Sequence, residues 1–280
     1  MLASLIQPRI RTRCLEIQAA EHCSIRCSGC AQNSPFLAPR FPNMAALHED
    51  LQQLAAFLHT ERISIVGGEP LLNPQIGELL HTLDASGISD RIVMTTNGLL
   101  LHEAPDTLWE IADAVEISLY PDTEDQVLQH LPSIWHRAWA SRTEIHLLPT
   151  PKFRRVTLTE PIQNSDTVRE VFRRCYFKEF THTLRDGKFY RCAPGSNIPT
   201  IVAKTSPGSA QPEDAGLPIR GQKDLPTALA EYIQRATPMA ICSFCLGSSG
   251  VEFDHVQLNR REIQRPAQIT FQTDMLTPAK

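Results

Sequence analysis

The chain has 280 residues, 42% of them hydrophobic, so it is long enough to bury a substantial core. Its 27 basic and 31 acidic residues give a net charge of -4 without long runs of like charge, which disfavours nucleic acid as a partner. No stretch has the length of a membrane-spanning helix, and the first residues lack the apolar core of a signal peptide. We therefore expect a cytoplasmic globular protein that is not attached to a membrane.

The first half of the chain alternates β-rich runs with amphipathic stretches, a pattern typical of βα units around a parallel sheet. Asn43 is a suitable N-cap for a helix whose apolar stripe continues to Leu58, and Gly87 is a suitable end for a second helix. Six strands are too few to close an eight-stranded barrel, so we expect an α/β fold with a partial (β/α)6 barrel. The strands are predicted over residues 14–18, 63–66, 92–96, 115–119 and 144–148, with a candidate sixth at 156–158.

Three cysteines follow the first predicted strand in a C-x3-C-x2-C spacing: Cys23, Cys27 and Cys30. Three thiolates so close together can hold three irons of a 4Fe-4S cubane and leave the fourth iron without a protein ligand. A structural zinc site is the alternative, with His22 as its fourth ligand, but the sequence downstream is not that of a zinc finger.

Further motifs occur at or near the predicted ends of the next strands. A G-G-E-P motif follows the second strand, T-T-N-G ends the third, and a serine lies on the fourth. In this order, and together with the three cysteines, these motifs resemble the radical S-adenosylmethionine (SAM) superfamily. The resemblance implies that the open iron of the cluster chelates SAM. It also implies a set of residues that contact SAM: Gly67, Gly68, Glu69, Asn97 and Ser118.

One position departs from the superfamily pattern. The residue before the third cysteine is often aromatic in these proteins and packs near the adenine of SAM, whereas this chain has Gly29. The adenine contacts are then expected from the backbone or from another segment. The resemblance further implies a small electron carrier of the flavodoxin or ferredoxin type as reductant.

Four more cysteines occur in the second half of the chain: Cys175, Cys192, Cys242 and Cys245. The first two flank a predicted hairpin that turns at Asp186-Gly187. Four thiolates can fully ligate a second 4Fe-4S cluster, and a four-thiolate zinc site is the alternative. The layout resembles the twitch module, a shortened SPASM domain, as found in the butirosin-pathway dehydrogenase of an aminocyclitol, and also radical SAM proteins of glycan biosynthesis. We therefore expect a barrel over residues 1–163 and a twitch-like module with a C-terminal tail over 164–280.

Three residues outside these sets are candidates for catalysis: Cys14, Glu16 and His146. Cys14 shares a strand face with Glu16 and Gln18, and all three approach the substrate if that face lines the barrel. Cys14 is then either a buried apolar thiol or the hydrogen-atom donor of an epimerase. His146, on the predicted fifth strand, is a candidate base or a hydrogen-bond partner of SAM, with a satisfied core histidine as the alternative.

The resemblance implies that SAM is cleaved to a 5′-deoxyadenosyl radical, which abstracts hydrogen from a small polar substrate. The favoured net reaction is oxidation of a secondary alcohol of a sugar or aminocyclitol, with the second cluster as electron acceptor. Redox-neutral epimerisation of a sugar and modification of a ribosomal peptide are the alternatives, although we recognise no N-terminal peptide-binding extension. An iron-sulfur electron carrier that does not cleave SAM is the non-enzymatic alternative.

Overall fold

The computed structural model describes residues 9–206, 215–264 and 267–278. The strands in this part are β1 (Ile10–Ala20), β2 (Leu58–Gly67), β3 (Ile92–Thr96), β4 (Ala114–Leu119), β5 (Glu144–Pro149), β6 (Lys152–Arg154), β7 (His182–Arg185), β8 (Lys188–Tyr190), β9 (Leu217–Pro218) and β10 (Glu252–Asp254). The helices are α1 (Met44–Ala55), α2 (Ile76–Ser86), α3 (Asp106–Ile111), α4 (Glu124–Ser141), α5 (Ser165–Arg174), α6 (Phe177–Phe180), α7 (Ala193–Thr205), α8 (Leu225–Gln234) and α9 (Arg260–Gln264). None of these helices combines the length and the apolar character needed to cross a membrane.

Eight of the strands form one sheet in the order β5-β4-β3-β2-β1-β7-β8-β9. Strands β1 to β5 run parallel, and a helix connects each to the next, as the sequence pattern predicts. The sheet has two ends, β5 and β9, and therefore forms an open barrel rather than a closed one. The prediction of an α/β fold with a mostly parallel, partial-barrel sheet is confirmed.

Two details of the predicted elements are wrong. Leu58 does not continue the first helix, since α1 ends at Ala55 and Leu58 begins β2 with its side chain fully buried. The sequence pattern did not distinguish the two, because a single apolar residue fits the stripe of a helix as well as a buried strand. The candidate sixth strand at 156–158 is not part of the large sheet. Its backbone instead pairs with a loop of the second half, since Leu158 N–H donates to the carbonyl of Phe244.

The sheet has one apolar and one polar face. Residues such as Leu15, Ile17 and Ile65 pack against the helices and form the main core. In the register, Cys14 lies opposite Arg62 and Glu16 opposite Ser64, so polar side chains of neighbouring strands meet on the other face. The predicted grouping of Cys14, Glu16 and Gln18 therefore belongs to this polar face.

The second half of the chain extends the same sheet. Strand β7 pairs in parallel with β1, and β8 returns antiparallel to it. The hairpin turns as predicted, with positive φ angles at Asp186 (52°) and Gly187 (73°). The sheet thus contains strands from both predicted domains, and the boundary between 163 and 164 stays a prediction. The predicted C-terminal tail reaches residues 279 and 280, which lie outside the described residues.

Candidate active site

The first cysteine loop packs directly on the end of β2. The backbone N–H of Gly68 donates to the carbonyl of Ala20 at 2.7 Å, and that of Glu69 donates to the carbonyl of His22 at 3.0 Å. A Cβ atom on Gly68 would lie 1.8 Å from the His22 carbonyl oxygen, and one on Gly67 would lie 2.2 Å from that of Ala20. The two glycines are therefore required because two backbones approach each other closely.

The fully buried carboxylate of Glu69 holds the end of β3. It accepts hydrogen bonds from the hydroxyl of Thr96 at 2.7 Å and from the backbone N–H of Asn97 at 3.0 Å. The side-chain amide of Asn97 donates to the hydroxyl of Ser24 at 3.0 Å and lies 3.6 Å from the sulfur of Cys23. Glu69 thus acts on the cysteine loop through Asn97, because its own side chain does not line the adjoining cavity.

A cavity of about 210 Å³ lies between the cysteine loop and the ends of β2, β3 and β4. Its lining includes seven residues predicted to bind the cluster or SAM: Cys23, Cys27, Cys30, Gly67, Gly68, Asn97 and Ser118. The structure therefore brings together side chains from four separate segments of the sequence. The lining combines the thiols with a few amide and hydroxyl groups among apolar side chains, which suits a ligand bound beside a metal cluster.

The thiols of this loop fit a metal cluster chemically. Burial raises the pKa of the Cys23 thiol to about 11, and burial together with the neighbouring Cys30 and Cys23 raises the pKa of Cys27 above its usual value. Buried thiolates that repel one another need a bound cation, and iron would deprotonate them. Among the described residues, no three His, Cys, Asp or Glu side chains converge on a single metal ion. In a cubane, each thiolate binds a different iron.

The second cysteine set also comes together in the fold. All four thiols line one small, largely apolar cavity: Cys175, Cys192, Cys242 and Cys245. Burial and the neighbouring thiols raise the pKa of Cys192 to about 12 and also raise that of Cys245. Gly247 approaches the set closely, since a Cβ atom there would lie 2.7 Å from the sulfur of Cys175. Its backbone N–H donates to the sulfur of Cys245 at 3.2 Å.

Glu16 interacts with residues near both cysteine sets. Its carboxylate accepts a hydrogen bond at 3.4 Å from the side-chain amide of Gln32, which follows Cys30 by two residues. The side-chain oxygen of Gln32 accepts a hydrogen bond at 2.8 Å from Asn197 on α7. Cys192, of the second set, is the N-cap residue of this helix. The charge of Glu16 contributes to the raised pKa of Cys192. Burial raises the pKa of Glu16 to about 7, while Gln32 opposes this shift. A carboxyl group with this pKa can accept or release a proton near neutral pH.

The other two catalytic candidates lie away from the first cavity. Cys14 is buried and donates to the hydroxyl of Ser64 at 3.3 Å. His146 is on the edge strand β5, where its half-exposed ring bonds to Glu144 at 3.0 Å and faces Glu116 in the register. None of the three candidates, Glu16 included, is among the residues that line the cavity beside the first cysteine set.

Sequence reasoning missed two residues at this site. A Cβ atom on Gly29, whose φ is 67°, would lie 2.3 Å from the ring of Phe253, so an aromatic side chain from β10 packs directly on this glycine. His255 approaches Cys27, with 3.1 Å between Nε2 and Sγ. No local pattern identifies either residue, because the second contact joins positions 228 residues apart.

Comparisons with known proteins agree with this site. Residues 17–138 match the family model described as the Radical SAM superfamily. The chain is 29% identical over 135 residues to the GTP 3′,8-cyclase of Microcystis aeruginosa, covering 45% of this chain and 41% of that protein. It is 34% identical over 115 residues to the enzyme of the same name from Chlorobaculum tepidum, covering 40% of this chain and 33% of that protein. The chain thus spans about two fifths or less of these relatives.

The fold also resembles a solved structure described as BtrN in complex with AdoMet and 2-DOIA. The alignment covers 82% of this chain and 84% of the BtrN chain, with 15% sequence identity and a TM-score of 0.48.

Proposed function

We propose that the protein is a radical SAM enzyme that oxidises a secondary alcohol of a small polar substrate, such as a sugar or an aminocyclitol. The match of residues 17–138 to the family model of the Radical SAM superfamily supports the first part of this proposal. Cys23, Cys27 and Cys30 would hold a 4Fe-4S cluster with SAM on its open iron, and the second cysteine set would hold another 4Fe-4S cluster. When bound, these groups supply a 5′-deoxyadenosyl radical for hydrogen abstraction and an acceptor for one electron. A carrier of the flavodoxin or ferredoxin type would act as reductant.

The interactions of Glu16 with Gln32, beside the first cysteine set, and with Cys192 of the second are the observation that carries this proposal. In the proposed reaction, Glu16 would accept the proton of the substrate hydroxyl. The bound groups would accept the hydrogen atom of the carbinol carbon, as 5′-deoxyadenosine, and the remaining electron, on the cluster that the second cysteine set would hold. The substrate would become a carbonyl compound, and the electron that SAM cleavage requires would come from the reductant.

The neighbours of Glu16 suit a substrate rich in hydroxyl groups. Gln32 accepts hydrogen bonds from the side-chain amides of Gln18 and Asn197, each at 2.8 Å. Carboxamides both donate and accept hydrogen bonds, as hydroxyl groups do, so a polyol can replace these mutual contacts one for one. A sugar or an aminocyclitol is therefore the substrate class that this network favours.

The alternative reactions have less support. An epimerase that uses Cys14 needs this thiol beside the substrate carbon, whereas Cys14 is buried against Ser64. The curated relatives are named GTP 3′,8-cyclase, but the chain matches only 41% and 33% of the length of the two described above. GTP is therefore a comparison substrate in the test. No observation favours modification of a ribosomal peptide.

The test is product analysis by mass spectrometry after anaerobic reconstitution with iron and sulfide. The protein is incubated with SAM, a strong reductant and a panel of sugars, aminocyclitols and GTP. We expect a product two mass units lighter than one polyol of the panel, formed in step with 5′-deoxyadenosine. Conversion of GTP, or 5′-deoxyadenosine formation that no polyol stimulates, would contradict the proposal.

Variants then assign the roles. We expect Glu16→Gln to slow ketone formation by about 100-fold, while His146→Ala, at an exposed position, serves as the matched control and retains the rate. The double variant Cys242→Ala/Cys245→Ala should still cleave SAM but form little ketone, because it lacks the electron acceptor. Ketone formation at the wild-type rate in this double variant would exclude the second set from the reaction.

A further inference from the structure

A segment near the C-terminus is held against the first cysteine loop by backbone hydrogen bonds. The N–H of Ser28 donates to the carbonyl of Val256 at 2.8 Å, and the N–H of Leu258 donates to the carbonyl of Arg26 at 2.7 Å. These two bonds flank an antiparallel bridge between the loop and the C-terminal segment. The segment therefore has a fixed position relative to the cysteines, even though more than 200 residues separate the two in the sequence.

This segment places the His255 ring against the sulfur of Cys27. Nε2 lies 3.1 Å from Sγ, and the residue is only 7% exposed. The ring stacks on Tyr120, with 4.9 Å between centroids, and packs against Phe153 at 5.2 Å. Nδ1, on the other side of the ring, faces the carboxylate of Asp122 at 3.7 Å. Two aromatic neighbours and the backbone pairing thus fix the orientation in which Nε2 points at the sulfur.

The direction of this hydrogen bond follows from the chemistry of the sulfur. A thiolate bound to iron has no hydrogen and can only accept, so Nε2 carries the hydrogen and donates it. Hydrogen bonds to the sulfurs of an iron-sulfur cluster are among the factors that set its reduction potential. A donor stabilises the more negative, reduced state more than the oxidised state, because electron density on the sulfur increases on reduction.

We propose that His255 is a positioning residue that donates a hydrogen bond to the cluster-bound thiolate of Cys27 and thereby makes the first cluster easier to reduce. The inference rests on the proposed function, since it requires a cluster at the first cysteine set. It concerns ease of reduction rather than the substrate, and it holds for whichever net reaction the enzyme performs.

The test is an EPR-monitored redox titration of the reconstituted protein. The signal to follow is the one that changes when SAM is added, because only a cluster with an open iron binds SAM. His255→Phe removes the donor but keeps an aromatic ring against Tyr120 and Phe153, and His255→Gln keeps an N–H near the place of Nε2. His22→Phe is the matched control, since His22 adjoins Cys23 and its ring packs on Phe41.

We expect His255→Phe to disfavour reduction about tenfold, a shift of ~59 mV to more negative potential for a one-electron couple. His255→Gln should recover most of this shift, and His22→Phe should titrate as the wild type does. A wild-type potential in His255→Phe would overturn the proposal. An equal shift in the Phe and Gln variants would also overturn it, because the effect would then come from packing.

A second measurement applies if His255→Phe fails to retain its iron. In a His22→Phe variant labelled with 15N-histidine, pulsed EPR of the reduced cluster should detect weak coupling to a 15N nucleus, which would come from the ring of His255. Absence of this coupling would overturn the proposal. The proposed function is tested separately. If the wild type forms no cluster and no 5′-deoxyadenosine, the proposed function and the role of His255 are both wrong. If the wild type cleaves SAM but His255→Phe leaves the reduction potential unchanged, only the role of His255 is wrong.

Discussion

The Glu69 carboxylate accepts a hydrogen bond from the backbone N–H of Asn97 at 3.0 Å, at a position where its side chain has no contact with solvent. Asn97 in turn donates to Ser24, the neighbour of Cys23. A residue behind the cavity therefore orients one that lines it. The glutamate of the G-G-E-P motif acts in this structure by fixing the turn that follows β3.

Glu69→Gln tests this role. The variant replaces one acceptor oxygen by an NH2 group that must face the donors of Thr96 or Asn97, so a buried donor loses its partner. We expect the free energy of unfolding to fall by about 1–3 kcal/mol, as measured by urea denaturation of the iron-free protein. Glu110→Gln, on the exposed side of α3, is the control and should change stability little. Equal stability of the two variants would contradict the role given to Glu69.

Gly68→Ala tests the close packing of β2 on the cysteine loop. The added methyl group would lie 1.8 Å from the carbonyl oxygen of His22, and neither backbone can yield without moving the loop. We expect the variant to fold but to lose the iron of the first set, about half of the iron in the wild type. Gly77→Ala is the control, because a Cβ atom there makes ordinary contacts at 3.6 Å or more. Full iron content in Gly68→Ala would show that the loop tolerates displacement.

Gly247→Ala tests the second cysteine set in the same way. A Cβ atom at this position would lie 2.7 Å from the sulfur of Cys175, and φ is 53°. Gly221→Ala is a matched control, since φ is 78° and its Cβ meets no atom within 4 Å in the described structure. Both variants carry the cost of a left-handed alanine, about 1–2 kcal/mol, but only Gly247→Ala should lose iron from the second set. Iron analysis, together with the EPR signal that does not respond to SAM, would show whether Gly247→Ala has lost the second cluster while Gly221→Ala retains it.

Glu16 should make the stability of the iron-free protein depend on pH. Its pKa is about 7 in the folded chain and about 4.5 in the unfolded chain, so the folded state binds more protons between these values. Stability is then lost as the pH rises from 4.5 to 7, by an amount on the order of 1–3 kcal/mol. Glu16→Gln should lack this decrease, as urea denaturation at pH 5 and pH 8 would detect. If the wild type and Glu16→Gln lose the same stability between pH 5 and pH 8, a group other than Glu16 is responsible for the pH dependence.

The elements that the sequence predicts well are those with local signals. The bounds of β3 agree with the prediction, and Asn43 caps α1 by accepting from the N–H of Ala46. The hairpin turn at Asp186-Gly187 follows from residues that adopt positive φ readily. Periodicity and turn chemistry are properties of a few adjacent residues, so one sequence is sufficient to recognise them.

The missed features depend on which segments pair in space. The sixth parallel strand of the sheet is β7 beside β1, whereas the apolar run at 156–158 pairs with a loop, and β-propensity does not distinguish these outcomes. Likewise, Phe253 and His255 reach the cysteine loop through pairing of distant segments. The motif residues were predicted from the resemblance to the radical SAM superfamily. They lie close together because they are at or near the ends of neighbouring parallel strands, where such ends converge.

Formation of 5′-deoxyadenosine is the most direct test of the radical SAM function. The wild type and a Cys23→Ala/Cys27→Ala/Cys30→Ala variant are reconstituted anaerobically, and iron, sulfide and nucleoside are measured under strong reductant. We expect about eight irons in the wild type, about four in the variant, and nucleoside release by the wild type alone. A wild type that holds zinc and releases no 5′-deoxyadenosine would contradict the proposed function and leave both cysteine sets with a structural role.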